Sequence, residues 1–184
     1  MTPRPRLIIP DADVVIDLHK LGAWESFIET YQVHIAEYVL TEEVLFYPAS
    51  RTCLSPEPDD YYEEKRPINL ADDIEAGKVI RIDPSASELH AIEEEAKRYG
   101  APDIDDGEKH TIAAVHGDES GLIACLKDKA AIEYAGLIGL AERCISIEAA
   151  LNNCGLTKTL SGSQTDEVFK RIIASASGKR VMNL

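Results

Sequence analysis

The stretch Leu7-Ile8-Ile9-Pro10-Asp11-Ala12-Asp13-Val14-Val15-Ile16 decides how this chain is read. Its apolar start reads as a strand buried on both faces, the kind that fills a parallel sheet. Two carboxylates stand where that strand gives out. A carboxylate at the end of a central strand loses water on one side, so it must pair, protonate or hold a cation. In open α/β sheets, the carboxyl ends of the strands are also where ligands bind. The simpler alternative is that Asp11 or Asp13 caps the helix that follows.

Beyond this stretch, Leu18, Leu21, Trp24 and Ile28 have helical spacing and predict one or two short helices. Val33-His34-Ile35 reads as a second strand. A helix is expected from near Tyr38 through Phe46, stopping before Pro48. Residues 49–68, with several Pro, Asp and Tyr, read as a loop or lid. A short helix over Asn69 to Ile74 ends at Gly77, and Val79-Ile80-Arg81-Ile82 is a third strand. Ser85 or Ser87 then caps a helix through Ile92 and Tyr99, closed by Gly100. Another helix starts at Asp105-Asp106-Gly107-Glu108 and runs to Val115, stopped by Gly117.

Leu122-Ile123-Ala124-Cys125-Leu126 is the fourth strand, and Asp128 opens a helix through Tyr134 and Leu137. Cys144-Ile145-Ser146-Ile147 is the fifth, followed by a short helix at Ala149 to Asn152. An amphipathic tail helix covers Thr165 to Ala174. Strands alternating with helices predict an α/β domain with a central, mostly parallel sheet of about five strands and helices on both faces. Residues 1–150 are expected to form this domain, with 151–184 a helical extension packed on it.

Nineteen Lys and Arg against thirty-three Asp and Glu give a formal charge of -14, which argues against a scaffold gripping nucleic acid over a broad basic face. It leaves room for an enzyme that touches nucleic acid only near metal ions. The cysteines at 53, 125, 144 and 154 form no CxxC pair and read as reduced thiols. No apolar run is long enough for a transmembrane helix, and Met1 to Arg6 lack the apolar core of a signal peptide. A cytoplasmic protein without a membrane partner is expected.

Further acids stand where the alternation could bring them to Asp11. Glu42 and Glu43 sit in an otherwise apolar turn, three and four residues after Val39, and either could equally belong to the polar face of its helix. Asp105, Asp106 and Glu108 cluster at a helix start; Asp105 and Glu108 have capping-box-like spacing, while Glu108 shares the stripe of Ile112 and Val115. Asp128 follows the fourth strand as Asp11 follows the first, and is also in place to cap its helix. Hard divalent cations such as Mg²⁺ or Mn²⁺ want such oxygen ligands. Without a cation, clustered carboxylates repel and raise one another's pKa.

The series resembles the PIN-domain family of small α/β nucleases, which includes the toxins of many toxin–antitoxin pairs. The family opens with a strand running into Asp-Thr-Asn/Ser-Val-Leu-Ile, here Asp11-Ala12-Asp13-Val14-Val15-Ile16. A helix of the form Val-x-x-Glu follows, here Val39-Leu40-Thr41-Glu42. Many members then show Gly-Glu opening a helix rich in Ile and Ala, here Gly107-Glu108-Lys109-His110-Thr111-Ile112-Ala113-Ala114. The last motif, a strand ending in an acidic turn, corresponds to Leu126-Lys127-Asp128-Lys129-Ala130-Ala131. The likeness spans roughly residues 7–148. Ala12 stands where Thr is common, His110 where many members have a second Glu, and Lys127 replaces the first acid of the last turn.

The resemblance implies a metal-dependent endoribonuclease in which Asp11, Glu42, Glu108 and Asp128 hold Mg²⁺ or Mn²⁺ and form the catalytic set. Asp13, Glu43 and Asp105 would be supporting or substitute ligands, and Lys127 or Lys129 could meet the scissile phosphate. RNA as substrate, an antitoxin as partner protein and a homodimer belong to the same expectation. Two rivals stand beside it. Asp11-x-Asp13 after a strand also resembles the first motif of haloacid-dehalogenase-type phosphatases, with Asp11 as nucleophile and Asp13 as acid/base. The other is a catalytically inactive PIN-like protein that binds a partner without cutting.

Overall fold

Leu7, Ile8 and Ile9 are wholly buried, and their side chains alternate between two separate apolar cores. That alternation is what a strand does when both of its faces are covered. The computed structural model describes residues 4–9, 12–42, 46–48 and 65–182, with the backbone alone for 46–48 and 65–67. Asp11 and Glu43, and most of residues 49–68, lie outside the described residues.

In chain order, β1 is Arg6–Ile9, α1 Ala12–Lys20, α2 Trp24–Thr30, β2 Gln32–Ala36 and α3 Glu37–Glu42. A small hairpin of β3, Phe46–Pro48, and β4, Lys65–Pro67, comes next, then α4 Ala71–Glu75 and β5 Val79–Ile82. The second half contains α5 Ala86–Tyr99, α6 Asp106–Gly117, β6 Ile123–Leu126, α7 Lys129–Leu137, β7 Cys144–Ser146, α8 Ile147–Asn153 and α9 Asp166–Met182.

The central sheet is five-stranded and parallel throughout, in the order β5-β2-β1-β6-β7. The α/β class and the five strands are therefore as expected from the sequence. Leu7, Ile9, Val33, Ile35 and Cys125 face one core, built with residues of α1, α2, α3 and α8. Ile8, Ala124, Leu126 and Cys144 face the other, built with α5, α6, α7 and α9. From β1 the chain winds outward through β2 and β5, then returns to the opposite side of β1 to place β6. The switch point of the sheet thus lies between β1 and β6.

Four features differ from expectation. The helix after β2 ends at Glu42, and Phe46–Pro48 is instead a strand paired antiparallel with Lys65–Pro67. Pro48 pushes the residue ahead of it toward extended backbone, and Phe-Tyr suits a strand. Within the expected loop 49–68, residues 65–67 are consequently a strand. Gly117 falls inside α6, whose end passes to Asp118. The tail helix runs two turns beyond Ala174, because neighbours fasten its end. Arg180 donates to the Leu137 carbonyl at 2.8 Å and pairs with Glu95 at 2.7 Å, while Lys179 pairs with Glu133 at 2.6 Å.

Candidate functional site

All five central strands point the same way, so the residues that follow β1, β2 and β6 emerge at one edge. A cleft of about 550 Å³ opens there, at the switch point. Its walls come from four separate segments: Ala12 and Asp13 of α1, Tyr38 and Glu42 of α3, residues 103–107 and Lys109 around the start of α6, and Asp128 ahead of α7. Among the described residues, six carboxylates line it, with Lys109 as the cation among them.

The start of α6 is held there by its own chemistry. Asp105 caps the helix, its Oδ1 accepting the Glu108 N–H at 2.8 Å. This is the structural role the spacing suggested, and it keeps the Asp105 carboxylate occupied. Thr111 of the same helix donates to the Ile9 carbonyl at 3.4 Å, tying α6 to the end of β1. The Glu108 side chain points inward, as its apolar stripe indicates, and is 2 % exposed. It is not among the residues that line the cleft.

Asp128 occupies the N-cap position of α7, yet its side chain makes no capping hydrogen bond. The capping explanation for that acid therefore does not hold. Neither the Glu42 carboxylate nor that of Asp128 makes a hydrogen bond or ion pair among the described residues, and both are exposed to the cleft. Asp13 is also exposed, but Lys127 reaches it at 3.3 Å and the neighbouring Asp17 at 3.0 Å. Burial works against the Lys127 charge; the hydrogen bond and charge of Asp17, joined by Asp13, outweigh it and raise its pKa.

Four of the expected site residues, Asp13, Glu42, Asp105 and Asp128, thus meet at one cleft. Glu108 is buried and does not line it, and Asp11 lies outside the described residues. Tyr38, Asp103 and Lys109 are additions that sequence reading missed. Lys109 Nζ stands 3.5 Å from Asp103 and 3.4 Å from Asp106; burial is the largest single effect on its pKa and lowers it, but the two carboxylates together outweigh it and raise the pKa. The Asp106–Lys109 spacing, one helical turn, was the available signal. Tyr38 packs its ring against His110 with centroids 5.0 Å apart.

The cleft's donors are hard oxygens throughout, which suits Mg²⁺ or Mn²⁺ and not a softer metal. Among the described residues, no three His, Cys, Asp or Glu side chains form a group that could hold one ion. A Mg²⁺ site needs only one or two protein carboxylates, since the ion keeps several waters and takes substrate phosphates. Glu42 and Asp128 are the described residues that fit such a set.

No family model matches the chain, and neither a curated protein nor a solved structure matches it. The likeness to PIN domains therefore stands on the order of the four motifs. No helix among the described residues is long and apolar enough to cross a membrane.

Proposed function

We propose that this chain is a Mg²⁺- or Mn²⁺-dependent endoribonuclease of PIN type. One observation carries the reading: carboxylates from four segments far apart in sequence line a single cleft at the sheet's switch point. Assembling them there is costly unless a cation offsets their repulsion. Glu42 and Asp128 would hold the ion, with Asp11 and Glu108 completing the family's set. The ion's contribution when bound is to acidify water and to offset charge on the phosphodiester.

The chain's own residues do the rest. Asp105 fixes the first turn of α6 through its cap, so that Asp106, Gly107 and Lys109 face the cleft in one arrangement. Lys109 and Lys127 are the cations available to an RNA phosphate, each already held by two carboxylates. The strongly acidic remainder of the surface keeps RNA away from other faces. A cytoplasmic setting, a homodimer and a toxin role follow from the family reading, in which a basic antitoxin segment would cover the acidic cleft.

Thermal unfolding with and without Mn²⁺ tests the reading. Millimolar Mn²⁺ should raise the melting temperature of the native chain, and Asp128→Asn should abolish most of that rise. A native chain indifferent to Mn²⁺ would sink the metal-dependent nuclease reading. Trapping of an acyl-phosphate on the chain would instead favour the phosphatase.

A further inference from the structure

Lys127 is the residue between the end of β6 and Asp128, which lines the cleft. Asp13 and Asp17 are one turn apart on α1, so their carboxylates fall on one side of that helix. Lys127 Nζ bridges both, at 3.3 Å and 3.0 Å. Gln164 fixes the arrangement from behind, its Nε2 donating to Asp17 Oδ2 at 2.9 Å. The Lys127 and Asp17 side chains are only 21 % and 19 % exposed, whereas Asp13 is 70 % exposed and lines the cleft. A lysine pinned in this way is a fixed charge, unlike the mobile ammonium of a solvated surface lysine.

We propose that Lys127 is a built-in cation of the cleft: it holds Asp13, so the cleft takes one divalent ion, and its ammonium supplies the second positive charge beside a bound phosphodiester. This rests on the metal-dependent reading above. Two-metal sites set their ions about 3.5–4 Å apart, each sharing carboxylates. An ammonium 3.3 Å from Asp13 Oδ2 occupies one oxygen of that carboxylate and sets a positive charge beside any second ion on the other. The two would repel, and the lysine is already held by Asp17 and, through it, by Gln164. The Asp103 and Asp106 carboxylates are likewise engaged by Lys109, and that of Asp105 by its cap. Among the described residues that line the cleft, Glu42 and Asp128 remain, a set that suits one well-hydrated ion. Lys127 is thus a positioning residue through Asp13, and its charge is what matters.

Counting Mn²⁺ per chain, by calorimetry and by electron paramagnetic resonance of the free ion, tests this without reference to activity. The native protein should bind one ion, Lys127→Met two, and Lys127→Arg one again. Two ions on the native protein would overturn the proposal while leaving the metal-dependent reading standing. No ion on it would overturn that reading, and the proposal with it. A single ion on Lys127→Met would also overturn the proposal. Should that variant fail to fold, Asp13→Asn serves instead: it should still bind one ion, and a loss of affinity of about tenfold or more, the size seen when supporting groups are removed, would count against a carboxylate occupied by lysine.

Discussion

His34 and Asp118 show how far single side chains here depart from their ordinary chemistry. Burial first, and then the Arg6 charge, lower the His34 pKa from 6.5 to about 4, against a weaker opposing effect of Asp118. For Asp118, burial works toward a higher value, but hydrogen bonds from Ser120 and the Leu122 N–H, with Arg6 and Arg143, bring it from 3.8 to about 2. Both shifts act in the same direction on stability. Between pH 6.5 and about 4 the unfolded chain binds a proton that folded His34 refuses, so stability falls as pH drops through that window. Between 3.8 and about 2 the same holds for Asp118. Urea midpoints measured against pH should show both losses, with His34→Gln removing the upper one and Asp118→Asn the lower. At this scale the sequence was informative where a residue's role is local. Asp105 as a cap, Glu108 turned inward and a cleft acid at Asp128 follow from spacing and position. The Lys127 bridge and Tyr38 were not visible, because their partners or their placement depend on elements brought together only by folding, and Lys109 left only its one-turn spacing from Asp106.

At the scale of elements, the packing of α9 on α7 turns on Gly136. A Cβ built there would stand 2.7 Å from the Ala176 Cβ and 3.1 Å from the Ile173 carbonyl oxygen, with no flexible side-chain end to give way. Gly136→Ala should therefore destabilise the chain by about 1–3 kcal/mol through overpacking. Adding Ala176→Gly should recover part of the loss, which a double-mutant cycle of denaturation midpoints would measure. Helix α5 is a contrasting case, carrying both ends in its sequence. Ser85 and Glu88 form a complete capping box and Gly100 closes the helix at φ 63°. Ser85→Ala should cost about 0.5–2 kcal/mol in chemical denaturation. Its boundaries were accordingly legible, as were the five central strands. The end of α3 and the full length of α9 were not. Phe46–Pro48 is strand because of a partner at 65–67, and the last turns of α9 are held by Glu95, Glu133 and Leu137 on other helices.

At the scale of the whole molecule, the sheet order explains why a chain of charge -14 gathers carboxylates from distant segments at one place. A parallel sheet sends every strand's carboxyl end to one edge, and the switch between β1 and β6 opens the cleft between Asp13 and Asp128. The opposite edge does different work. There Arg6, Asp118 and Arg143 pair at 3.2 and 3.0 Å and fasten the segments entering β1, β6 and β7. The cleft is thus left as a place where carboxylates gather without contributing to the sheet's own stability. Glu42→Gln and Asp128→Asn should accordingly leave the unfolding midpoint in metal-free buffer unchanged or slightly raised, since each removes a repulsive charge. The central claim is that these carboxylates hold a divalent ion that drives RNA cleavage. Its most direct test is cleavage of end-labelled single-stranded RNA by native and Asp128→Asn protein, with Mn²⁺ and with a chelator. The native protein should cleave only with Mn²⁺, and the rate should be lower by more than about 100-fold in Asp128→Asn, beyond the loss from removing a supporting group. Native protein that leaves RNA intact with Mn²⁺, or an Asp128→Asn variant that cuts as fast, would contradict the central claim.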